Sequence, residues 1–119
     1  MWRYLLPFLV VSILDACGGD VNPPASIKVY KYRGSVQCTN GGTSPAVMSL
    51  ELTNAGISVA SFTCGHDGLA RPAVCGISDG AINIFEIPEN QTEGALSLSF
   101  FLLSTLPTAV EVPCIESLP

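Results

Sequence analysis

The densest group of reactive side chains in this sequence is Cys64-Gly65-His66-Asp67-Gly68. A thiol, the chain's single imidazole and a carboxylate in one short stretch are the raw material of a nucleophilic or metal centre. A nucleophilic cysteine must be reduced, with its pKa lowered by its neighbours. A zinc centre takes four ligands with short paired spacings, and this sequence has no Cys-x-x-Cys and no second histidine. The plainer reading places Cys64 in a disulfide and His66-Asp67-Gly68 in a solvated turn. The cysteine count favours it. Of Cys17, Cys38, Cys64, Cys75 and Cys114, setting Cys17 aside leaves an even set of four. Such a set pairs into disulfides in an oxidising compartment.

The remaining polar motifs lead to the same place. Glu86, Glu89 and Glu93 are close in sequence. A glycosidase pair must face one cleft, whereas these flank a strand end and a helix start, so a solvated cluster is expected. Asp67 and Asp79 each precede a glycine, singly, as turn residues do; a calcium loop needs several oxygen ligands at alternate positions. Gly18-Gly19 and Gly41-Gly42 lack the lysine of a phosphate loop. No catalytic residue, metal or cofactor is expected. The formal charge is −5, and past residue 16 the only basic residues are Lys28, Lys31, Arg33 and Arg71. A nucleic-acid binder needs a basic footprint, so nucleic acid is excluded as a partner. Lys31 and Arg33 on one strand face, with Tyr30 and Tyr32 alongside, are the candidate for docking an acidic protein partner; the plainer reading is a solvated outer face or protection of an edge strand.

The chain opens with Arg3, an apolar run over residues 5–14, and Leu14-Asp15-Ala16-Cys17. Ten helical residues span ~15 Å, about half a bilayer core, which suits an export leader better than a permanent span. The ending resembles the lipobox of bacterial lipoproteins, with Leu14 three before the cysteine and the small Ala16 just before it. The resemblance implies cleavage before Cys17 and acylation of its thiol, with a membrane held through that lipid. Gly18 follows, where an aspartate favours inner-membrane retention in Gram-negative lipoproteins, so the resemblance implies the outer membrane, facing the periplasm. Residues 1–16 then form the signal peptide and 17–26 a tether, its Pro23-Pro24 pair favouring extended chain. Residues 27–119 form a single domain.

Within that domain, alternation predicts a strand over 27–37, with Tyr30 and Tyr32 on one face and Lys31 and Arg33 on the other. Ser44 suits an N-cap and Pro45 the first helical position, predicting a helix over 45–54 closed by Gly56. A strand follows over 57–64. Asp79-Gly80 between apolar runs predicts a hairpin of 73–78 with 81–87. Pro88 starts a weak helix, and 100–104 reads as a last strand. The order implies an α+β two-layer sandwich: an antiparallel sheet with two helices on one face, ferredoxin-like in its simplest version and stabilised by disulfides. Four cysteines allow three connectivities; Cys64 with Cys75 and Cys38 with Cys114 is the preferred set. The expected role is non-enzymatic: a tethered periplasmic binding or inhibitory, immunity-like domain acting through protein contact. The alternatives are a structural accessory of an envelope complex and a small enzyme using His66 and Asp67.

Overall fold

The computed structural model describes residues 25–114. The expected leader 1–16, Cys17 and the expected tether as far as residue 24 lie outside the described residues, as do 115–119; the last two residues of the expected 17–26 tether instead belong to the fold, with Ser26 in a strand and the Ala25 carbonyl accepting from the Glu89 N–H. The elements are β1 (Ser26–Tyr32), α1 (Pro45–Thr53), β2 (Ser61–His66), β3 (Ala81–Pro88), α2 (Thr92–Ser97), β4 (Phe101–Leu102) and β5 (Val110–Val112). They form an α+β domain around one antiparallel sheet in the order β4-β1-β3-β2-β5. The strands β1 and β2 flank β3, so α1 joins two strands that do not touch each other.

Central β3 is buried on both faces, with Ile82, Asn83, Ile84, Phe85 and Ile87 all inside, as expected of a strand paired on either edge and covered on both sides. Phe85 and Ile87 face the helices. There they join Val29 of β1, Met48 and Leu52 of α1, Ala95 of α2, and Phe100 in one core. Burying each large apolar side chain contributes ~1.5–3 kcal/mol. Ile82 and Ile84 face the other way and pack with Tyr30. That face is crossed by residues 103–109, which run from the β4 edge to the β5 edge and set Leu103, Leu106 and Ala109 against it.

Helix α1 starts as its sequence dictates. The Ser44 hydroxyl accepts from the Val47 N–H at 3.2 Å, and Pro45 takes the first turn. Gly56, at φ +84°, ends it, and the Ile57 N–H folds back to the Leu52 carbonyl. Helix α2 is short, and Gly94 has a packing reason: a Cβ there would lie 3.2 Å from Ile57 Cδ1.

Several expectations need correction, beginning with the strand over 57–64, which starts only at Ser61 and runs to His66. The strand from 27 ends at Tyr32, because Gly34 turns the chain at φ +84°. The hairpin of 73–78 with 81–87 does not form: β1 and β2 already occupy both edges of β3. Residues 73–78 instead belong to the loop between β2 and β3. A further strand, β5, follows the 100–104 stretch that reads as the last one, of which only Phe101–Leu102 pairs as β4. The disulfides are Cys38–Cys75 and Cys64–Cys114, with Cα separations of 5.2 and 4.9 Å. Cys64 pairs in register beside Val112, so β5 delivers Cys114 to it, and Cys75 is left to the loop that carries Cys38.

Candidate functional site

The loop 67–80 connects β2 to β3 at one end of the sheet, and the Asp67 N–H closes its neck on the Gly80 carbonyl at 2.9 Å. Asp67 is fully buried. Its carboxylate accepts two bonds from Arg71 (2.9 and 2.8 Å), one from the Tyr32 hydroxyl (2.8 Å) and one from the Leu69 N–H (3.0 Å). The Arg71 guanidinium, above all, holds the carboxyl well below the usual carboxylate range, against the opposing effect of burial. The ion pair raises Arg71 in turn. Burial, then the bond to Asp67, raises the Tyr32 phenol. Asp67 is therefore an ionised anchor and not the solvated turn residue foreseen. Arg71 four residues later is the sequence signal for it, legible only once both are known to flank the same turn.

Two glycines let other backbone close over this anchor. At Gly80 (φ +82°) a Cβ would meet the Arg71 guanidinium at 2.6 Å and Asp67 Oδ1 at 2.8 Å. At Gly68 a Cβ would collide with the Thr108 carbonyl. Through that contact the crossing segment reaches the loop, and the Thr108 hydroxyl donates to the Asp67 carbonyl at 2.6 Å.

His66 has both ring nitrogens engaged. Nδ1 accepts from the Gly68 N–H at 3.1 Å, which leaves the proton on Nε2 to be donated to the Asp79 carbonyl at 3.0 Å. A ring so bonded offers no lone pair to a substrate or a metal. Cys64 is tied to Cys114. Asp79 behaves as a turn residue, accepting from the Ser35 hydroxyl and the Ala81 N–H. Glu86 accepts from the Ser26 and Ser61 hydroxyls, which lower its pKa.

The loop itself is held at three more points. Cys75 is bonded to Cys38. The Gln37 backbone donates to the Ile77 carbonyl and accepts from the Gly76 N–H. The Gln37 side-chain amide donates to the Pro72 carbonyl and accepts from the Val74 N–H, each at 3.0 Å. Yet the side chains that this bracing presents are apolar and outside: Leu69 is 46% exposed, Val74 47% and Ile77 36%, with Ala70, Pro72 and Ala73 exposed between them. The one charge in the stretch, Arg71, is spent on Asp67.

No protein-family model, curated protein or solved structure is significantly similar to this chain.

The foreseen docking strip is not a single surface. Tyr30 is buried, and Tyr32 lies on its face of the sheet with its hydroxyl on Asp67. Lys31 points to the helix side, where its ammonium bonds Glu51 at 2.8 Å and the Leu98 carbonyl at 3.1 Å and lies 4.8 Å from the Phe100 ring centre. Arg33 donates to the Thr43 carbonyl. The structure brings together residues 69–77, Gln37 and the Cys38–Cys75 bridge, which the sequence did not.

Proposed function

We propose that this protein is an envelope lipoprotein, cleaved before Cys17 and lipidated there. In this reading it is exported as a non-enzymatic binding or inhibitory domain, facing the periplasm from the outer membrane. It engages a protein partner through the loop 69–77. The braced apolar loop carries the reading. Ordering backbone costs ~1–2 kcal/mol per residue, and Leu69, Val74 and Ile77, more than a third exposed and outside both cores, return little of it as burial. A loop fixed in advance spares a complex that ordering cost, and its apolar side chains supply the centre of a protein interface. With Arg71 neutralised, the contact is apolar and its affinity changes little with salt.

A photoreactive residue at position 74, introduced in producing cells, tests this. A discrete adduct is expected from Val74 and none from Leu50, an equally exposed residue on α1. Equal adducts from both would remove the loop from the interface. An adduct from Arg33 instead would return docking to the strand. For the anchor, Cys17→Ser is expected to abolish fatty-acid labelling and release the protein from the membrane fraction; unchanged labelling refutes lipidation.

A further inference from the structure

The Gln37 side-chain amide meets the loop in a particular way. It donates to the carbonyl of Pro72 and accepts from the N–H of Val74. In a parallel ladder, a residue makes these same two bonds to the neighbours on either side of the residue it faces. In that pattern the faced residue, here Ala73, has its own N–H and C=O on the side opposite Gln37. Neither group has a hydrogen-bond partner among the described residues, and Ala73 is exposed. The result is a strand-like hydrogen-bond pattern, backed by an amide and flanked by a disulfide at Cys75, that leaves one small exposed side chain and a backbone pair without a partner among the described residues.

We infer that residues 70–74 dock in a substrate-like way in the cleft of an endopeptidase that cuts after small apolar residues, with Ala73 in the specificity pocket. This rests on the loop being the interface and names the partner's class. Such a cleft binds an extended chain by backbone pairing and reads the side chain at the cutting site by pocket size. Pro72 before Ala73 and Val74 after it keep the segment apolar, matching an apolar cleft. Arg71, the one residue that a basic-specific enzyme would read, has its guanidinium bonded to Asp67. The loop therefore selects against enzymes that cut after arginine. Bracing on both sides of Ala73 supplies the rigidity that separates a tight-binding loop from an ordinary substrate.

The test uses the purified mature protein against serine endopeptidases that cut after alanine or valine, with a trypsin-type enzyme as contrast. Activity of the first group is expected to titrate toward one-to-one stoichiometry, and the trypsin-type enzyme to be untouched. Ala73→Asp, a loop-surface change, is expected to weaken inhibition at least ~30-fold, the size of an interface hot spot. Gln37→Ala is expected to leave the amide NMR spectrum of the sheet in place while turning the loop into a substrate cut after Ala73. Absence of inhibition in the first group, or inhibition unaffected by Ala73→Asp, overturns the inference. If the position-74 adduct still forms in cells, the loop remains an interface and only the peptidase assignment falls; loss of both removes the loop altogether.

Discussion

Removing the Asp67 carboxylate is expected to cost this domain a large part of its stability. Asp67→Ala leaves the Tyr32 hydroxyl, the Arg71 guanidinium and the Leu69 N–H without their acceptor. Breaking a buried charge pair by deleting one partner costs ~3–5 kcal/mol. Arg71 keeps 21% of its side chain in solvent, where water can take over, so the low end, ~3 kcal/mol, is the expected loss. Small domains have ~5–15 kcal/mol in total. With a urea slope of ~1–1.5 kcal/mol per M, the midpoint falls by ~2–3 M. Asp67→Asn keeps the shape and part of the bonding and should fall between. The pH dependence has a definite sign. The folded pKa lies below the unfolded value of ~3.9, so the contribution is fully present above pH ~4 and is lost as pH falls beneath it. Urea melts of wild type and Asp67→Ala between pH 7 and pH 2 measure both effects. A midpoint shift under ~0.5 M at pH 7, or an equal acid response in the two proteins, would refute the buried-anchor reasoning.

Further outcomes follow from the same contacts. Cys38→Ser with Cys75→Ser opens a cross-link between residues 37 apart in sequence; the chain-entropy relation gives a loss of roughly 4 kcal/mol, to be read by thermal melting. Cys64→Ser with Cys114→Ser should, besides a similar loss, free β5 from β2, seen as faster hydrogen exchange at the amides of positions 64 and 66. His66→Ala removes two hydrogen bonds at a half-exposed turn, so a drop of ~1 kcal/mol with partner capture intact is expected; loss of capture at unchanged stability would revive an enzyme using His66. Phe85→Ala, at the centre of the helix-side core and packed on Phe62 and Phe100, should cost ~3–5 kcal/mol by urea titration.

The sequence was most legible where one local rule acted alone. Ser44-Pro45 and Gly56 marked the ends of α1 because capping is a matter of nearest neighbours. The alternation of Tyr30 and Tyr32 with Lys31 marked β1. The reading failed where a long-range contact overrode a local signal. Asp79-Gly80 has the composition of a tight hairpin turn, but the register His66↔Ala81 makes β2, and not 73–78, the partner of β3. Only Gly80 of that pair has positive φ. Strand β5 is three exposed residues between two prolines, too short for periodicity, and without it the cysteine pairing is undetermined. The candidate loop was least legible of all. Its apolar residues read as a strand, and its order comes from Gln37, Cys38 and Tyr32, more than thirty residues upstream.

Docking through the loop 69–77 as proposed requires the loop to be ordered before it meets a partner. Backbone 15N relaxation of the purified protein measures that directly at Leu69, Ala70, Ala73, Val74 and Ile77. Order parameters near ~0.85, equal to those of β3, are the predicted result. Values under ~0.6 across these amides, with β3 rigid, would show a flexible loop and contradict docking through a preordered loop.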